Sequence, residues 1–382
     1  MDIPVLEDLG DVSGKRVFVR LDLNVPLSYD AHGNATIVDD FRIRASLPTL
    51  EYLVNAGAIV TVGSHLGRPN GVADSKYSLE PIAKYLSKVL PSVKLLENLR
   101  FNPGEEANDP ALVQELIKDQ DLYVNDAFGA AHRAHASIVG PPAYLPSAAG
   151  RLLAREVQVL SNLLSDPVAP FVAIIGGAKV SDKLALLEAM IPKVDTLLIG
   201  GAMAFTFLAA KGHSVGDSMF EKDKIASCSA ILNSGAHLVL PSDFVALSSD
   251  GKFGRNAGTG TVKEFTADIP SGYRGLDIGD ASIEEFSSII AGAGTILWNG
   301  PMGVFEDARF NKGTFAIANA VASADAFTVV GGGDSAAAIE EAGLSQNISH
   351  LSTGGGASLE LLEKGDLPGL KALRDAPTQV AG

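Results

Sequence analysis

Apolar residues along this chain fall into two rhythms that take turns. Short runs rich in β-branched and aliphatic residues (RVFVRL at 16–21, AIVTV at 58–62, VKLLE at 93–97 and DLYVN at 121–125) alternate with segments whose apolar positions recur at helical spacing. One predicted helix follows Asp39 and Asp40, which can cap it. It carries Arg42 and Arg44, is interrupted at Pro48 and ends near Gly57. Others are expected around Leu79–Val89 and 110–118. From position 170 the rhythm resumes with PFVAII, TLLIG, HLVLPSDFVAL, TILW and FTVV, and 248–280 reads as polar and glycine-rich. Strands that alternate with helices in this way predict βαβ units in parallel sheets. The break comes at PAYLPSAAG, 142–150, where turn residues crowd together. The amphipathic segment 151–164 behind it, with Arg151 and Arg155, is the candidate connector between two domains.

Composition sharpens this picture. At 382 residues the chain exceeds the size of one growing core, so two domains are expected, 1–150 and 165–367, on either side of the connector. With 46% hydrophobic and 20% charged residues and 40 glycines it has a globular α/β composition. A single cysteine, Cys228, rules out an internal disulfide framework and fits a reducing, cytoplasmic setting. The start, MDIPVLEDLG, has no basic-then-apolar signal pattern, and no apolar run approaches the roughly 18 residues of a membrane span. The net charge of -15 argues against nucleic-acid or anionic-membrane partners, but it leaves room for a local cationic cleft.

Open parallel sheets bind ligands outside the carboxyl ends of their strands. In the first half those ends carry Asp22, Asn24, His65, Arg68, Asp126, His132, Arg133 and His135, with Arg42 on the helix after the first strand. Guanidinium groups gathered there suit a small ligand bearing carboxylate and phosphate. In the second half the ends carry GGAK, LIGGA, LWNGP, GGGDS and STGGGAS, where glycine backbones at helix starts favour phosphate. Lys179 and Lys183, four residues apart, are expected to share one face of a helix after Gly176 and Gly177. Asp334 can hold Mg²⁺ through one carboxylate, and Glu306 can accept from ribose hydroxyls. There is no G-x-x-x-x-G-K-[ST], C-x-x-C or H-E-x-x-H. One half thus suits a small anion and the other a phosphorylated ligand, a pairing that points to phosphoryl transfer.

These residues together resemble phosphoglycerate kinases over essentially the whole chain. The matching motifs are RLDLNVP at 20–26, RIRASLPT at 42–49, SHLGRP at 64–69 and NDAFGAAHRAH at 125–135 in the first half. In the second they are GGAKVSDK at 176–183, LWNGPMGVFE at 297–306, GGGDS at 331–335 and STGGGASLELLE at 352–363. The resemblance implies two Rossmann-like domains, each a mainly parallel sheet flanked by helices, joined by a hinge helix, with the tail 368–382 packed back on the first. It implies reversible transfer of the acyl phosphate of 1,3-bisphosphoglycerate to ADP, giving 3-phosphoglycerate and ATP with Mg²⁺, by a cytoplasmic monomer.

By matching position, Asp22, Asn24, Arg42, His65, Arg68 and Arg133 would bind the glycerate substrate. Lys183, Gly275, Leu276, Asn299, Glu306, Gly332, Gly333, Asp334 and Ser335 would bind nucleotide, with Asp334 on the metal. Arg42 and Lys179 would flank the phosphoryl group in transit, near the backbone of Gly354, Gly355 and Gly356. The chain departs from the family pattern at Ala169, where an arginine is usual and Arg151 or Arg155 is a possible substitute, and at Ala202, Ser335 and LLEKGDLPG. Two rival readings were a dinucleotide oxidoreductase and a non-catalytic nucleotide-binding scaffold. The first would want G-x-G-x-x-G after the first strand, where DLNVP stands; the second predicts loss of Lys179, Arg42 or Asp334, and all three are present.

Overall fold

The structure is a computed structural model that describes residues 2–30, 32–255 and 258–377. The chain divides into two compact units, one formed by Met1–Ser161 with Lys364–Gly382 and the other by Asn162–Glu363. The helix Arg151–Ser165 contains the boundary.

The first unit is built on five parallel strands: β1 (Arg16–Leu21), β2 (Ile59–Gly63), β3 (Lys94–Leu95), β4 (Leu122–Asp126) and β5 (Ser147–Ala149). Their order across the sheet is β3-β2-β1-β4-β5. The order reverses between β1 and β4, which opens a crevice at their carboxyl ends. Both faces of the sheet are covered, so β1 is mostly apolar, with Val17, Phe18, Val19 and Leu21 fully buried alongside a buried Arg20. The helix Phe41–Asn55 packs on this core through Ile43, Leu50 and Leu53. It runs unbroken through Pro48, contrary to the sequence expectation. Proline removes one backbone donor there, but buried Ile43 before it and Leu50 and Leu53 after it keep the helix on the sheet. Asp39 takes the Phe41 N–H at 2.8 Å, while Asp40 instead binds Arg44 and Tyr85 through its side chain.

The tail enters this unit as the helix Pro368–Arg374. Gly369 donates its N–H to the Ala131 carbonyl at 2.9 Å, and a Cβ there would meet Ile138 at 2.9 Å. The remainder of the expected returning tail, 378–382, lies outside the described residues.

The second unit repeats the plan with six parallel strands: β6 (Phe171–Ile175), β7 (Thr196–Ile199), β8 (Leu238–Val239), β9 (Thr295–Asn299), β10 (Phe327–Gly331) and β11 (His350–Leu351). Their order is β8-β7-β6-β9-β10-β11, so the reversal falls between β6 and β9. All residues of β6 and β9 are buried, including Trp298, whose indole N–H donates to the Gly300 carbonyl at 2.8 Å. The polar stretch after 248 contributes two further strands. Val262–Thr266 and Tyr273–Ile278 flank Asp243–Ser248 in a small antiparallel sheet. Cross-strand pairing rather than apolar periodicity makes the first of these, because Val262–Thr266 is largely exposed.

Candidate active site

At the carboxyl end of β1, Asp22 is buried and receives the Arg42 guanidinium at 2.7 Å. Asp22 also accepts the Asn24 N–H at 3.2 Å, and the Asn24 side chain accepts the Gly67 N–H at 2.8 Å. Burial pushes the Asp22 carboxyl upward, but Arg42, with His65 and Arg20, overrides it and holds the group down at about 2. The carboxylate therefore stays ionised and locks the Arg42 fork in place. Gly129 closes this arrangement from the β4 side, where a Cβ would lie 2.3 Å from an Asp22 oxygen and 3.7 Å from Arg42. Nothing but glycine fits at that close approach.

His65 is 5% exposed and its Nδ1 lies 3.3 Å from the Arg20 guanidinium. Burial pushes its pKa well below the ordinary range; Asp22 opposes this, and Arg20, Arg100 and Arg42 reinforce it. The imidazole is neutral at physiological pH. Arg68 and Arg133 stand exposed on the loops that follow β2 and β4. The structure therefore brings Asp22, Asn24 and Arg42 into one network, sets His65 on Arg20 within its electrostatic reach, and leaves Arg68 and Arg133 as exposed cations on loops of the same unit. His135 is turned inward, with its Nδ1 3.9 Å from the buried Glu105 carboxylate, and Asp126 caps the helix at Arg151 through the Leu153 N–H at 2.9 Å. Both side chains are buried.

In the second unit the reversal point gathers the glycine motifs. Gly176 donates its N–H to the Asn299 carbonyl at 2.8 Å, and a Cβ on Gly176 would collide with the Pro301 carbonyl at 2.2 Å. The Lys183 ammonium donates to the Asn299 side-chain oxygen, whose amide in turn donates to the Gly331 carbonyl at 2.7 Å. Ser335 accepts the Gly300 N–H at 2.6 Å. Burial lowers the Lys183 pKa, and Asp182, Glu363 and Asp334 partly restore it. Gly332, at φ +94°, turns the chain into the helix Gly333–Glu341, which places Asp334 in its first turn. Gly354 and Gly355 lie in the turn after β11, at the start of the helix Gly356–Lys364.

One sequence expectation fails here. Lys179 and Lys183 do not share a helical face, because the helix begins only at Leu184. Gly177, at φ +125°, sends the chain into a turn in which the Lys183 backbone N–H donates to the Val180 carbonyl at 2.9 Å. The Ser181 N–H is held by Glu221 at 2.9 Å. Lys179 is thereby displayed from a turn, exposed, while Lys183 is drawn inward.

Beside this point opens a cavity of about 180 Å³. Gly177, Gly275, Leu276, Glu306 and Asp334 line it, so four of the residues expected to bind nucleotide meet there. Phe205, Phe244, Met302 and Val304 supply an apolar wall that the sequence reading had not assigned. An apolar slot edged by carboxylates and glycine backbone is the shape of a site for a flat ring that carries a polar, phosphorylated arm.

The phosphoglycerate kinase family model matches residues 6–95 and 91–365. The chain belongs to the phosphoglycerate kinase family. The phosphoglycerate kinase of Salinispora arenicola is 50% identical over 408 residues, covering 98% of this chain and all of that one. That of Roseiflexus castenholzii is 47% identical over 396 residues, covering 96% of this chain and 98% of that one. Among solved structures, the phosphoglycerate kinase from Coxiella burnetii superposes with a TM-score of 0.87 at 38% identity, covering 98% of this chain and 99% of that one. The enzyme from Pyrococcus horikoshii gives 0.82 at 32% identity over the same shares.

The two candidates for the charge missing at Ala169 differ in setting, Arg151 being engaged and Arg155 exposed. The Arg151 guanidinium is paired with Glu7 at 2.6 Å and stacked over the Tyr52 ring at 4.8 Å.

Asp277 is the unassigned carboxyl of the cavity wall. It accepts the Gly313 N–H at 2.8 Å and the Ile278 N–H at 2.9 Å. Burial nevertheless pushes it up to about 7. A carboxyl raised in this way favours folding below its unfolded value of about 4, and the benefit is lost as pH rises through about 7. Asp277→Asn should therefore gain urea resistance over the parent as pH rises from 5 to 8, by up to about 3 kcal/mol. A difference between the two proteins that does not change with pH would contradict this assignment.

Proposed function

We propose that the two strand-end sites divide one reaction between them, with the glycerate substrate on the first unit and the nucleotide on the second. Family membership makes the chain the kinase that moves phosphate between 1,3-bisphosphoglycerate and ADP in glycolysis. The reading of the sites rests above all on the cavity of the second unit, where Gly275, Leu276, Glu306 and Asp334 meet from three separate segments. In this reading Asp22, Asn24, Arg42, His65, Arg68 and Arg133 hold 3-phosphoglycerate or its acyl phosphate. Lys183, Asn299, Gly332, Gly333 and Ser335 hold the nucleotide phosphates.

The attacking group is a β-phosphate oxygen of ADP, which is already an anion, so no general base is required. A neutral His65 suits that role as a hydrogen-bonding partner and not a base. The difficulty of the reaction is electrostatic: several anions must be brought into line where water is excluded. Arg42 and Lys179, with the amides of Gly354 and Gly355, supply positive charge to the group in transit.

Mg²⁺ fits the second site as a one-carboxylate ion. Asp334 shares the cavity with Glu306, and among the described residues no three His, Cys, Asp or Glu side chains converge on a point, so phosphate oxygens and water complete the set. When bound, the ion neutralises nucleotide phosphate charge. No helix among the described residues is long and apolar enough to cross a membrane. The reading is completed by a cytoplasmic monomer with small-molecule partners only, in keeping with the acidic net charge and the single buried cysteine.

A coupled assay with ADP and 1,3-bisphosphoglycerate tests the activity. Because Arg42 and Lys179 belong to different units, the reading also requires the units to close about the Arg151–Ser165 helix. The radius of gyration from small-angle scattering should fall when both substrates are present and stay unchanged with either alone. An identical value under all conditions would count against closure.

A further inference from the structure

We infer that the segment Asn98–Arg100 is the positioning element of the glycerate-binding loop, and that Arg100 fixes the backbone from which Arg68 projects. This deepens the functional reading above and rests on its placing of Arg68 and His65 at the substrate.

The loop after β2, residues 64–71, has no regular structure of its own to hold it. Its carbonyls are instead taken one after another by this neighbouring segment. The Leu99 N–H donates to the Ser64 carbonyl at 3.0 Å. The Asn98 side-chain amide donates to Leu66 at 2.8 Å and also to Tyr77 at 2.9 Å. The Arg100 guanidinium donates to Gly67 at 2.9 Å, and its own carbonyl accepts the Gly71 N–H at 3.1 Å. From the opposite side, the Gly67 N–H is held by Asn24. Gly67 is thus gripped through both of its peptide groups, at φ +59°, with the Tyr77 ring where a Cβ would stand. Arg68 is the next residue.

Arg100 is itself fixed. Its side chain is 12% exposed, its Nε lies in ion-pair range of Glu106 at 3.4 Å without a hydrogen bond, and its backbone N–H donates to the Asn98 side-chain oxygen at 3.0 Å. Asn98 is 3% exposed and spends both its donors and its acceptor in this way. A largely enclosed arginine spent on a carbonyl one residue before a substrate-binding cation is a costly choice for structure alone, since enclosing its charge carries a desolvation penalty. It is the expected choice where a shift of about 1 Å in the ligand-binding side chain costs up to about 100-fold in activity.

Steady-state kinetics of Arg100→Met, Arg100→Lys and Arg68→Ala, with thermal melts of each, test the inference. Arg100→Met should raise KM for 3-phosphoglycerate by about tenfold or more and leave KM for ATP within about twofold of the parent. Arg100→Lys, which can still donate to Gly67 but cannot span Glu106 as well, should recover part of that loss. A KM for 3-phosphoglycerate that does not move, or equal rises in both KM values that follow a fall in Tm, would overturn it. Should the methionine variant not fold, the lysine variant alone decides: a rise confined to 3-phosphoglycerate supports the inference and no rise refutes it. If Arg68→Ala leaves the 3-phosphoglycerate KM untouched, the reading of the substrate site fails instead. A large effect there with none at Arg100 overturns only the positioning role.

Discussion

Arg42→Ala should lower kcat by about 10²–10³, the usual effect of removing one preorganised donor aimed at developing charge. The geometry adds a complication that the experiment must separate. Arg42 is also the partner that keeps the buried Asp22 ionised, at 2.7 Å. Removing it strands a carboxylate that is 9% exposed, so stability should fall too, by about 1–3 kcal/mol. The double variant Asp22→Asn/Arg42→Ala removes the stranded charge. Its Tm should recover toward the parent while turnover stays low. Turnover that returns together with Tm would mean that Arg42 serves only to satisfy Asp22.

Lys179→Ala should lose a similar factor in kcat, about 10²–10³, with no stability cost beyond the roughly 0.5 kcal/mol of an ordinary surface change. Its ammonium is exposed on a turn whose conformation is held by Gly177 and by Glu221 binding the Ser181 N–H, not by the lysine. The two variants therefore contrast: one couples activity to folding and the other does not. Combined, they should cost less than the product of the separate losses, because groups acting on one transition state are not additive. A Lys179→Ala enzyme that turned over within a few-fold of the parent would remove that residue from the chemistry.

The parallel sheets were legible because fully buried strands must be apolar runs, and β1, β4, β6 and β9 are such runs bounded by glycine or aspartate. The placement of Asp22 and Asn299 at strand ends was legible for the same reason. What failed depended on contacts distant in sequence. Proline 48 breaks a helix by local rules, yet Leu50 and Leu53 anchor this helix to the sheet. The spacing of Lys179 and Lys183 suits a helix, but the positive φ of Gly177 and the bond from Glu221, some forty residues on, impose a turn. Val262–Thr266 has no buried face to betray it. Phe205 and Phe244 line the cavity from different segments, with rings 4.7 Å apart, and no spacing rule connects them. Asn98 and Arg100 act through carbonyls, which leave no trace in side-chain patterns.

The neutrality of His65 has a consequence for how the enzyme meets acid. The strand-end site of the first unit holds guanidinium groups, a carboxylate held near 2 and an imidazole that burial pushes well below the ordinary range. Burial thus opposes charging of His65 where a free imidazole would take up a proton. If this site takes 3-phosphoglycerate as proposed, the main change in charge on acidification belongs to the ligand, whose phosphate takes up its own proton near pH 6.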